Sequence, residues 1–141
     1  MGKINVGRVI LGGLLTGVVI NLGEYVLNGV IFKADWEQAM KDLGKQPFGD
    51  QAIAIFVGAG FLLGIVVIWL YAAIRPRFGA GVKTAIWAGL FAWFFASLYV
   101  TIGMWPSGIF PERLLLIGCA WSLVEFCLAA VIGAWLYKEE A

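Results

Sequence analysis

Four runs of almost unbroken apolar sequence, at about Val9 to Ile31, Ala52 to Ile74, Thr84 to Met104 and Leu114 to Tyr137, constrain this chain more than any other feature. Each is close to the ~20 residues that an α-helix needs to cross the hydrocarbon of a bilayer, whereas a buried soluble helix is served by about 10 to 14. The charged residues, 13% of the chain, gather between the runs, and 62% of all residues are hydrophobic. Soluble domains carry about 25% charged residues, so a water-facing surface cannot be assembled from this composition. The solvent for the fold is lipid. The expected fold class is therefore all-α, with residues 1–141 forming a single four-transmembrane-helix domain.

The punctuation between the runs is clear. Arg75-Pro76-Arg77-Phe78-Gly79 is expected to end the second helix and Trp105-Pro106-Ser107-Gly108 the third. Pro111 then opens the fourth, with Glu112 in its first turn, where negative charge suits the helix dipole. Lys3 and Arg8 stand before the first run as they would in a signal peptide. That run is too long for such a segment and lacks a small-x-small cleavage site, so it reads as a retained span.

Orientation follows from the cations. Lys3, Arg8, Arg75, Arg77, Lys83 and Lys138 make six on one side, against four on the other, Lys33, Lys41, Lys45 and Arg113. The positive-inside rule then puts the N and C termini on the cytoplasmic side. Trp69, Trp87 and Trp135 fall near one membrane interface, and Trp36 and Trp105 near the other, as an aromatic belt requires. In the long first loop Trp36, Ala39, Met40 and Leu43 recur at helical spacing among charged neighbours. This pattern predicts a short amphipathic interfacial helix, whose common use is anchorage and whose functional use is a lid or docking element.

Several function classes are excluded by what the chain lacks. A net charge of +1 with scattered Lys and Arg provides no basic patch, so no nucleic-acid partner is expected. There is no histidine, and Cys119 and Cys127 lie roughly 12 Å apart along one helix. A disulfide within the helix is ruled out, and neither a metal site nor a bound cofactor is expected. Ser97, Thr101 and Ser122 have no histidine to activate them, so no catalytic residues are assigned and the chain does not read as an enzyme.

Two residues run against the pattern. Seven of the nine acids lie in loops or tails, but Glu24 falls in the first run and Glu125 near the middle of the fourth. A charge at the bilayer centre costs at least about 2.5 to 3.5 kcal/mol, so such residues face the bundle interior and take a partner. No Lys or Arg lies within any of the four runs to supply one. At 100° per residue, Gly13, Gly17, Asn21, Glu24 and Asn28 share one side of the first helix, with Leu11, Leu15, Val19, Leu22 and Val26 opposite. Gly118, Ser122, Glu125, Ala129 and Gly133 share a side of the fourth, with Leu116, Leu123, Cys127 and Ala134 behind. Gly60 and Gly64 on the second helix and Ala88, Ala92 and Ala96 on the third add ridges of small residues that let helices pack closely.

An intramembrane polar site of Glu24, Glu125, Asn21, Asn28 and Ser122 at the helix 1/helix 4 interface is thus expected. Three states of the two acids stay open. Desolvation and neighbouring like charge favour protonated carboxyls in a structural clasp. A proton or small cation arriving from outside would make a transport or binding site, with Tyr25, Trp93, Tyr99 and Trp121 available to line it. A cation on another subunit would make the chain part of a homo-oligomer or larger membrane complex, docked through Phe91, Phe94, Phe95 and Tyr99.

Gly23-Glu24-Tyr25 running into Ile31-Phe32 and Trp36, a glycine-rich second half, and the closing Leu128-Ala129-Ala130-Val131-Ile132-Gly133-Ala134 together resemble an uncharacterised family of short bacterial four-helix membrane proteins. The resemblance implies a bacterial inner-membrane location and carries no chemistry with it. Small multidrug transporters share the size, the helix count and a glutamate in the first helix, but their other motifs do not align here.

Overall fold

The computed structural model describes residues 3–139, and all regular structure among them is helical. Helix α1 (Val6–Glu24) continues into a π-helical stretch, Tyr25–Ile31; α2 is Lys33–Asp42 and α3 is Asp50–Phe78. Helix α4 (Val82–Trp93) passes through a second π-helical stretch, Phe94–Leu98, into α5 (Tyr99–Met104) and a closing 3-10 turn, and α6 is Glu112–Ala134. Four continuous helical segments, Val6–Ile31, Asp50–Phe78, Val82–Ser107 and Glu112–Ala134, are long and apolar enough to cross a membrane.

Local chemistry sets several of these limits. Asn5 caps α1, its Oδ1 accepting the Arg8 N–H at 3.0 Å. Helix α3 ends at Gly79, whose φ of 85° lies in a region few other residues tolerate. It does not stop before Pro76 as its sequence suggests. A proline this close to the helix end removes only one hydrogen bond, and the Gly79 N–H still reaches the Arg75 carbonyl at 2.8 Å. Helix α6 ends at Ala134 rather than Tyr137, and Tyr137 instead folds back, buried, to meet the Tyr71 ring edge-on at 5.8 Å.

The long helices form a closed ring in which α1 packs on α3 and α6, and α4 packs on α3 and α6. The first and last helices begin and end together, since the Asn5 N–H points at the Tyr137 hydroxyl at 3.4 Å. Around this terminal end lies the largest apolar core, with Val67, Ile68, Ala85, Ala88 and Ala130 at its centre. Backbone nearly touches backbone there. A Cβ on Gly13 would overlap the Ile65 backbone, one on Gly64 the backbone of Gly13 and Gly17, and one on Gly133 both Thr16 and the Gly12 carbonyl. Thr16, fully buried, points its hydroxyl at the Gly12 carbonyl at 3.0 Å and across to the Ala129 carbonyl on α6 at 3.2 Å. Ala134, expected on the outer side of its helix, is buried here as well.

The opposite, loop-bearing end is built otherwise. Helix α3 buries nothing before Gly64, and the third long segment buries nothing between Gly89 and Thr101. Helix α2 lies over the ends of α1 and α6, where Leu27, Phe32, Ala39 and Leu114 make a small apolar cluster with Trp36 and Trp121 packed against it. Arg113 ties α2 down by pairing with Asp35 at 3.3 Å and covering the Phe32 ring at 5.2 Å.

Candidate functional site

The two intramembrane acids lie between these halves. Glu125 sits in the middle of α6 and is only 6% exposed. One turn earlier on the same helix, Trp121 donates its indole N–H to Glu125 Oε2 at 2.7 Å. The carboxyl group rests against Gly23 of α1, in space that a Cβ there would occupy. Its second oxygen, Oε1, is buried without any hydrogen-bond partner.

Glu24 follows Gly23, the residue that the Glu125 carboxyl touches, at the end of the α-helical part of α1 and is partly buried. The Asn28 amide donates to Glu24 Oε2 at 2.6 Å, and Asn28 Oδ1 in turn accepts the Trp36 indole N–H at 2.8 Å. A chain of hydrogen bonds thus runs from α2 to the first acid. The second acid is held by Trp121, which packs in the same cluster beneath α2.

Of the five residues expected at the site, Glu24 and Asn28 are hydrogen-bonded to each other, and Glu125 lies against Gly23, the residue beside Glu24. Asn21 turns aside: its amide donates to the Gly17 carbonyl at 2.9 Å and to the Val57 carbonyl of α3 at 3.2 Å, filling the space beside Gly60. Ser122 turns to the other neighbour, with its hydroxyl 2.6 Å from that of Ser97 and 3.0 Å from the Cys119 carbonyl. Both residues share a helical side with an acid, but each side is wide enough to meet two neighbouring helices.

The aromatic residues divide similarly. Tyr25 and Tyr99 are 65% and 66% exposed, away from the acids, and Trp93 donates to the Cys119 carbonyl at 2.8 Å. Only Trp121 reaches a carboxylate. Gly23, Trp36 and Thr16 were not legible as parts of this arrangement, although the Gly-Glu dipeptide inside an apolar run was a signal that backbone comes close to something there.

Two of the chain's cations are engaged elsewhere. Arg113 is held by Asp35 at the loop end, and Arg75 lies over the Tyr137 ring at 5.6 Å and 3.5 Å from Glu139 at the terminal end. Both π-helical stretches lie in the looser half: Tyr25–Ile31 begins directly after Glu24, and Phe94–Leu98 carries Ser97. Such wide turns are rare and recur at functional sites. Two carboxyl groups, each held by one neutral donor and by no internal cation, can bind a proton or a cation supplied from outside.

The fold and site define a bundle of four helices of membrane-crossing length with one acid on the first and a buried acid on the last. No protein-family model, curated protein or solved structure matches the chain.

Proposed function

We propose that the protein is a multi-pass component of the bacterial inner membrane, with both termini cytoplasmic, that provides a carboxylate-dependent pathway or binding site for protons or a small cationic solute. Glu24 and Glu125 form the exchange site and Asn28 is its supporting ligand. In this reading α2 lies along the outer membrane surface and covers the site. One observation supports the proposal: Glu125, buried in the middle of α6 against Gly23, and Glu24, the next residue of α1, are each held by a neutral hydrogen-bond donor. A carboxylate pair left uncompensated in hydrocarbon is too costly to keep, so its charge has to be answered by something that arrives. Proteoliposomes containing the protein are expected to conduct protons or a small cation at a rate that Glu24→Gln combined with Glu125→Gln reduces to the protein-free level. Flux unchanged in the double variant overturns the proposal.

A second reading is favoured by the third long segment, where Phe91, Phe94, Phe95 and Tyr99 are all exposed and the rings of Phe94 and Phe95 meet edge-on at 5.1 Å. As a non-catalytic accessory subunit, the chain would lay this face against a larger membrane complex. Extraction in mild detergent tests it, because a protein that always purifies alone is not such a subunit.

A further inference from the structure

We propose that the occupant of this site is the proton, held on Glu125 at its enclosed Oε1 and exchanged through Glu24, and that metal ions and organic cations are excluded. The inference rests on the pathway reading above and narrows it to one chemical class.

Space decides first. Glu125 Oε1 is buried with no partner, and the carboxyl already fills the gap left by the missing side chain of Gly23. An ammonium head or a hydrated ion needs its own volume beside the oxygen, whereas a proton adds almost none. The donor set points the same way. Among the described residues no three His, Cys, Asp or Glu side chains come together, and divalent metals are usually held by several oxygen ligands. Recognition of an organic cation would use aromatic faces around the acids. Here Tyr25 and Tyr99 face outward, and Trp121 presents its N–H edge to the carboxylate.

Apart from Lys33, Asp35, Glu37, Lys41 and Asp42 on the covering α2, of which Asp35 is paired with Arg113, the surroundings contain little else that titrates. Helix α1 contributes Glu24, α3 has no charged residue between Gln51 and Ile74, and the third long segment brings Ser97 and the outward-facing Tyr99. On α6 itself the neighbours are Cys119, buried, and Cys127. Glu24, less buried than Glu125, is the reachable member of the two. Loading transfers a proton from hydronium to Glu24 and then to Glu125, forming one O–H bond and leaving one water. Release is the reverse, so the exchange balances without any co-reactant.

Infrared spectroscopy of the purified full-length protein in lipid tests this directly. The expected result is a protonated-carboxyl stretch that titrates with pH and disappears in Glu125→Gln. Its midpoint should stay fixed when sodium, calcium or tetramethylammonium is raised. Gly23→Ala keeps both acids but crowds the carboxyl, and should change proton affinity by about tenfold. A midpoint that falls by about one unit for each tenfold rise in one of those cations overturns the proton assignment and leaves the pathway reading standing. Absence of any band that Glu125→Gln removes also overturns the assignment. Failure of the pathway reading is seen separately, as flux in proteoliposomes that Glu24→Gln and Glu125→Gln do not change.

Discussion

The terminal half and the loop-bearing half of this bundle use the same apolar alphabet to different ends. Near the termini, glycine meets backbone on facing helices and Val67, Ile68, Ala88 and Ala130 are almost wholly enclosed. Toward the loops, α3 buries nothing before Gly64, two helices widen into π turns, and polar side chains link neighbouring helices, Asn21 to α3 and Trp93 and Ser97 to α6. In lipid there is no hydrophobic drive between helices, so association depends on close packing and on hydrogen bonds. The terminal half relies mainly on the first, with the Thr16 hydroxyl bridging α1 and α6, and the loop-bearing half relies more on the second. The difference suggests a fixed base that carries an adjustable site.

The largest effect should come from placing bulk in the base. Gly13→Val would drive a side chain into the Ile65 backbone and is expected to cost about 3 kcal/mol, seen as a large drop in the unfolding midpoint in detergent. Gly118→Ala, toward the loops with nothing within 4 Å of its new Cβ, should be neutral or gain up to about 1 kcal/mol. Equal losses at both positions would erase the contrast between the halves.

Next in size is the acid itself. Glu125→Ala leaves the Trp121 indole N–H without its acceptor in a dry interior, for a loss of about 1 to 3 kcal/mol. Glu125→Gln keeps an acceptor oxygen in place and should cost clearly less while abolishing flux. If the two substitutions destabilise alike, the indole hydrogen bond is not what holds that side chain.

Trp36→Phe keeps a ring over the cluster but removes the donor to Asn28, with about 1 kcal/mol expected. Its sharper signature is kinetic, since amide hydrogen exchange should speed up in α2 and in Tyr25–Ile31 while the terminal half stays protected. Uniform exchange across the chain would show that α2 is not coupled to the acids.

Smaller still, Thr16→Val exchanges the hydroxyl that bridges α1 and α6 for a methyl group, and interhelical hydrogen bonds in lipid average about 0.6 kcal/mol. The smallest change belongs to Asp35→Asn. Its ion pair with Arg113 is solvent-exposed and should contribute less than about 1 kcal/mol, reduced further by salt. A larger loss there would make α2 a structural element in its own right.

Much of the fold could be read from the residues. Run length gave the four long helices, and the spacing of Trp36, Ala39, Met40 and Leu43 gave a helix at α2, although Leu43 falls just beyond its end and is exposed, because both depend on repeats along one stretch of sequence. The π turns were not visible: nothing in Tyr25-Val26-Leu27-Asn28 differs in composition from an α-helical turn, and the wider hydrogen bonding arises in context. At the site, helical arithmetic grouped Asn21 with Glu24 and Ser122 with Glu125. It had no means of telling that Asn21 would meet the Val57 carbonyl on α3, or that Ser122 would meet Ser97.

By itself, then, the sequence determined the solvent, the number of long helices and the presence of two acids with no internal cation, since each is a matter of composition and period. Only the tertiary structure decided that Glu125 comes to rest against Gly23, that Trp121 and Asn28 become the donors, and that Trp36 reaches Asn28 from α2. Helical period states which side a residue is on. What that side touches depends on how closely neighbouring backbones approach, and that distance is set by small residues on other helices, far away in the chain.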